Sequence, residues 1–172
     1  MENKAKIKIE DSVELRQELY LLYKQATQVS LAKWALELSK HILDVTGYKG
    51  ANDEVILKGF FTNEAWQRGQ ARMHDVRQAG FKIHALAKEC ENDVFKTALR
   101  VVGQSVGTGH MREHAMVASD YAIKVINLMH THDKNAVIQE RQWQIELLKL
   151  YLDKEKILDK EEVKRNHSFE ER

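Results

Sequence analysis

Not one proline occurs in the 172 residues, where average usage of roughly 5% would place about eight or nine. Proline removes a backbone donor and clashes with the preceding turn, so a chain built from helices tends to exclude it. A single cysteine, Cys90, excludes an internal disulfide framework and a Cys-rich zinc site. No apolar run approaches the roughly 18 residues of a membrane-spanning helix. The opening MENKAKIKIEDS lacks the apolar middle of a signal peptide. The expectation is a cytoplasmic, soluble chain with no membrane partner. An excess of one charge is missing too: 27 Lys and Arg face 26 Asp and Glu, leaving a formal +1. A dedicated DNA-binding domain carries a clear basic excess, so no nucleic-acid partner is expected.

What is present is enough for one core. Apolar residues make up 43% and charged residues 31% of the chain. A single domain of this length buries about 70% of its unfolded surface and needs neither metal nor disulfide to fold. The apolar residues recur at helical spacing almost throughout. Asp11 or Ser12 offers an N-cap ahead of Leu15, Leu19, Leu22 and Tyr23. A second stripe runs through Leu31, Trp34, Ala35, Leu38, Ile42 and Val45, with Gly47 as its stop. The break between the two, near Thr27 to Ser30, leaves open either two helices or one bent element. Asn52 is placed to cap a third helix through Val55, Ile56, Gly59, Phe60 and Trp66.

Met73, Val76, Gly80, Ile83 and Ala87 mark a fourth helix, and Asn92 or Asp93 restarts the chain before Val94, Ala98 and Val101. The small-residue run from Gly103 to Gly109 fits close packing or a kink, with Gly109 ending one helix before His110 opens the next. Ala115, Ala118, Ala122, Val125 and Met129 form a further stripe, and Val137, Ile145, Leu148 and Leu152 the last strong one. The final twenty residues hold thirteen charges of alternating sign and four large apolar residues, the composition of a solvated helix or a frayed tail. The expectation is an all-α, single-domain bundle of about six to seven helices over residues 1–152, with a charged C-terminal helix or tail over 153–172.

The sharpest chemical string is His110-Met111-Arg112-Glu113-His114. It matches H-x-x-E-H, in which two histidines four apart on one helix face hold zinc and the glutamate serves as general base. Context argues against that chemistry, because no feature selects a third ligand, although Glu140 and Glu146 are available. The favoured reading is that these imidazoles are half-buried among small side chains and hydrogen-bonded to a carboxylate. A small metal-dependent hydrolase on His110, Glu113 and His114 stands as the alternative. No E-x-x-H pair of the di-iron type occurs, and Glu37 to His41 has one residue too many. The glycine run lacks the Lys-Ser/Thr of a phosphate loop. Arg68, Arg72, Arg77, Lys82 and Lys88, interleaved with Trp66 and Phe81, read as a solvated face rather than a nucleic-acid surface, since Glu64, Asp75 and Glu89 dilute them.

Three stretches taken in order carry a resemblance. They are Trp34-Ala35-Leu36-Glu37-Leu38; Ala65-Trp66-Gln67-Arg68-Gly69 with Val76-Arg77-Gln78-Ala79; and Gly103 through His110 with His114-Ala115 and Tyr121-Ala122. Together they resemble the immunity-five-like family, bacterial proteins linked to polymorphic toxin systems. The resemblance implies an all-helical cytoplasmic protein that binds and neutralises a cognate protein toxin, without catalysis and without a cofactor. It makes Trp34, Trp66, Arg77, His110, Glu113, His114 and Tyr121 the positions to follow, either as structural residues or as partner contacts. A second copy of the chain is a further candidate partner, through an apolar flank on the Ile145 to Leu152 helix.

Overall fold

A computed structural model describes residues 4–50 and 53–170. Among them are seven helices and no strand: α1 (Val13–Gln25), α2 (Gln28–Thr46), α3 (Glu54–Gln67), α4 (Met73–Glu89), α5 (Asp93–Gly107), α6 (His114–Met129) and α7 (Lys134–Glu170). The protein is an all-α bundle.

Short polar side chains set the helix starts. Ser12 accepts from the Leu15 amide, Thr27 from Ser30 and Asn92 from Phe95, each satisfying an amide that a helix N-terminus leaves unpaired. The expected cap Asn52 lies outside the described residues; Asp53 caps α3 by accepting from Val55 at 2.8 Å. The stretch near Thr27 resolves into two helices. Ala26 leaves the helical region for an extended conformation, and Thr27 starts α2 at once. Gly47 ends α2 with φ +65°, a left-handed conformation that favours glycine.

α2 is the central element, with ten of its nineteen residues buried, and it packs against α3, α5, α6 and α7. Trp34 is wholly buried on its inner face, and the indole Nε1–H donates to the Gln144 carbonyl oxygen at 3.0 Å. α5 is the second core helix, wedged between α2, α4 and α6. One apolar cluster joins α1, α2, α6 and α7 through Leu19, Leu31, Trp34, Ala115, Ile145 and Leu148. Another joins α2, α3, α4 and α5 through Leu36, Ile56, Val76, Ile83, Leu99 and Val102. On the Ile145 to Leu152 stretch, Ile145, Leu148 and Leu152 are buried in the chain's own core, while Leu150 is exposed.

The last stripe does not stop at Leu152. α7 runs on as helix to Glu170, past the point where burial ends. Glu155 marks that limit, since its carboxylate accepts from both the backbone amide and the hydroxyl of Thr27 at 3.0 and 2.6 Å. Ile157, Leu158 and Val163 beyond it are exposed.

Candidate functional site

The motif residues converge on the connection between α5 and α6, but not in the way a zinc motif requires. α5 ends at Gly107, and α6 begins only at His114. The intervening residues form turns, so Gly109 does not end α5, and His110 lies outside any helix. Side chains from two other helices fix this connection, and a third, its own Arg112, ties it to α1. Asn63 of α3 donates to the Val106 carbonyl and Gln28 of α2 to the Thr108 carbonyl, both at 2.8 Å. Arg112 donates to the carbonyls of Tyr23 and Ala26 at the end of α1, at 2.7 and 3.1 Å. Its guanidinium also lies 4.8 Å from the Tyr23 ring centroid. A cation at a helix C-terminus satisfies free carbonyls and complements the dipole. Arg112 is a wildcard of the H-x-x-E-H string, yet it makes the string's firmest contacts.

The histidines and glycines form one packed unit. A methyl group on Gly103 would sit 2.6 Å from Cε1 of His84, and one on Gly107 would sit 3.2 Å from Cδ2 of His114. The two imidazoles therefore rest on the space that the α5 glycines leave. Gly80 of α4 faces the same region, where a methyl group would be 3.3 Å from the Gly103 carbonyl oxygen. Gly109 gives the same clearance to Trp66, whose indole would lie 3.0 Å from an added methyl group. The expected close packing at the glycine run is thus present, with aromatic rings as the partners that fill it.

Charge at this unit is handled by keeping the imidazoles neutral. Burial lowers the His84 pKa to about 4, helped by the positive charges of Arg100 and Lys88 and by the His114 ring, which would repel it if protonated. The Arg100 guanidinium donates to His84 Nδ1 at 3.0 Å and approaches the His84 carbonyl at 3.3 Å. An always-charged donor requires Nδ1 to be the acceptor, which places the ring proton on Nε2. His114 is held below its ordinary pKa by burial, then by His110 and Lys6, with Glu113 opposing. Its Nδ1 bonds the Gln104 carboxamide oxygen at 2.6 Å. The expected carboxylate partner is a carboxamide, so the group hydrogen-bonded to the ring carries no charge, and Glu113 acts on it only from a distance. The His110 ring is 6.0 Å from that of His114, and its buried Nδ1 has no hydrogen-bond partner.

The remaining motif positions scatter. Glu113 is exposed and lines a surface cavity of about 360 Å³ with Lys4, Lys6, Arg16 and Tyr20. Arg77 stands on the outside of α4, 5.2 Å from the Phe81 ring centroid. Tyr121 is half-buried against Leu38, Ala98 and Val125. Glu140 bonds His41 rather than approaching His110 or His114. Among the described residues, no three His, Cys, Asp or Glu side chains are disposed to hold a metal ion. No helix of the described residues is long and apolar enough to cross a membrane.

A second polar cluster was not legible beforehand. Arg141 is wholly buried on α7 and uses all five of its N–H donors. They reach both Asp11 oxygens at 3.0 and 2.7 Å, Asp120 Oδ1 at 2.8 Å, the Ser119 hydroxyl and the Gln144 carboxamide. Arg16 of α1 makes a two-pronged contact to Asp120 at 2.9 and 2.8 Å. Gln144 continues to Glu140, and Glu140 bonds the His41 ring, which stacks on Trp143 at 3.9 Å. Two arginines and two aspartates balance, and each aspartate accepts from a guanidinium with both of its oxygens. Burial opposes the charge on Arg141, but Asp11 and Asp120 outweigh it and raise its pKa. These residues are up to 130 apart in sequence, so no local motif could announce them.

Fold and site together define an all-α bundle whose motif residues mainly pack helices against one another. Residues 21–151 match the model of the family described as Imm-5 like putative immunity protein, and the chain belongs to that family. No curated protein and no solved structure matches the chain.

Proposed function

We propose that the protein is an immunity protein of the bacterial cytoplasm, which binds a cognate toxin and neutralises it stoichiometrically, without catalysis. The observation that carries this reading is the family match across residues 21–151. The geometry supports it. His114, Gly107, Trp66 and Arg112 are occupied in holding α1, α3, α5 and α6 together, and such residues serve a rigid binding surface. Preorganisation of that kind lowers the ordering cost of association.

Co-expression with candidate toxins, drawn from the genes neighbouring this one, is the direct test. Growth should be restored, and the two proteins should elute as one complex. A chain that neither protects nor forms a complex would overturn the reading. His110→Gln separates it from the hydrolase alternative: protection should persist in the variant, whereas a catalytic His110 would make protection vanish while the melting temperature held.

A further inference from the structure

We propose that the outer face of α4, centred on Phe81 and ringed by Arg77, Lys88 and Arg100, docks an acidic protein surface that offers an apolar recess to the Phe81 ring. This deepens the toxin-binding reading and rests on it. Arg77, Phe81, His84 and Lys88 recur at i, i+4, i+7 and i+11, which places them on one stripe of the helix. α4 packs chiefly on α3 and α5, so this stripe looks outward beside α5. Arg77 and Lys88 are exposed, and Phe81 is 51% exposed with the Arg77 guanidinium over its ring. Arg100 of α5 joins them through its bond to His84 Nδ1.

None of Arg77, Lys88 and Arg100 makes an ion pair among the described residues. The acidic Glu89, Glu91 and Asp93 are confined to one end of the stripe, around the turn into α5. Other exposed apolar side chains lack this setting. Phe61 and Leu57 on α3 lie near the Lys40–Glu64 pair. Ile157, Leu158 and Val163 lie in a stretch of alternating signs. Among the described residues, only on α4 does an exposed aromatic ring coincide with charge of one sign that makes no ion pair. Aromatic and arginine anchors dominate binding energy at protein interfaces, and complementary charge around them steers encounter and rejects wrong partners. The free cations specify the partner's sign, and the ring specifies its apolar centre.

The test uses the full chain and the toxin that the co-expression experiment pairs with it, with affinity read by calorimetry and folding by melting temperature. Arg77→Glu combined with Lys88→Glu should weaken binding by about 30-fold or more. Phe81→Ala should weaken it by about 10-fold or more. Lys156→Glu on α7, a matched reversal off this face, should bind as the parent does, and all variants should melt alike. Full affinity in the α4 variants would overturn this surface and leave the immunity reading standing. Absence of any complex with the parent chain would overturn both. If a single-stranded RNA probe bound more tightly than the toxin, with steep salt dependence and loss in the same variants, the face would be a nucleic-acid site and the protein partner would be refuted.

Discussion

In the cluster of Asp11, Arg16, Asp120 and Arg141 each buried charge meets its opposite, whereas the charges around His84 are all positive and its ring responds by staying neutral. Both clusters touch α6, and both lie among buried apolar residues. The first joins the N-terminal arm, α1, α6 and α7 through bonds between formal charges. The second joins α4, α5 and α6 through the fit of rings on glycines. A paired charge fails badly when one partner leaves, because the other is left desolvated and alone. A neutral ring in a fitted seat fails when the seat is filled or when the ring is made to charge. Stability of the two halves should therefore respond to different perturbations.

The largest effect is expected at the ion network. Arg141→Met leaves Asp11 without the guanidinium that grips it and Asp120 with only Arg16, and should cost about 3–5 kcal/mol in urea unfolding. A loss below about 1 kcal/mol would mean that the paired charges hold the fold no more firmly than the fitted ring does.

Acid should act on the other cluster. The folded His84 pKa of about 4 lies below its unfolded value of 6.5, so between those values the unfolded chain holds more protons. The stability from the neutral ring is complete above pH 6.5 and is lost as pH falls toward 4, by about 2–3 kcal/mol. His114, also depressed, adds in the same direction. Urea midpoints measured across this window should fall less steeply in His84→Gln. An equal slope in the two proteins would show that His84 does not drive the acid loss.

Gly103→Ala tests the seat itself. Its methyl group meets the His84 ring at 2.6 Å, and the clash should outweigh the helix preference for alanine, destabilising by about 1–3 kcal/mol. A stabilised variant would show that the ring shifts freely. Arg112→Ala removes two bonds to the α1 carbonyls and should lower stability by about 1–2 kcal/mol. His110→Gln should change it least, within about 0.5 kcal/mol, since the His110 Nδ1 has no partner to lose. A large loss there would mean that the turn depends on this ring.

Much of the helical plan was legible because it is local. Ser12, Gly47 and Asn92 act through atoms a few residues away, and the stripe in α2 repeats every 3.6 residues. The candidate site was legible only in part. Gly103, Gly107, His110 and His114 stood out as a string, yet the string suggested two histidines on one helix face. Asn63, Gln28 and Arg112 hold the connection as turns instead, and those three contacts cross 43, 80 and 89 residues.

The sequence by itself determined helix class, most helix limits, the absence of disulfides and the family, because each depends on composition, short spacing or motif order. Tertiary structure alone decided which polar residues pair. Arg141 meets Asp11 across 130 residues, His84 is neutral because the fold buries it beside Arg100, and no carboxylate among the described residues pairs with Arg77. The charge state of a side chain depends on its neighbours in space, and a chain of near-zero net charge can still place unpaired positive charge on one helix.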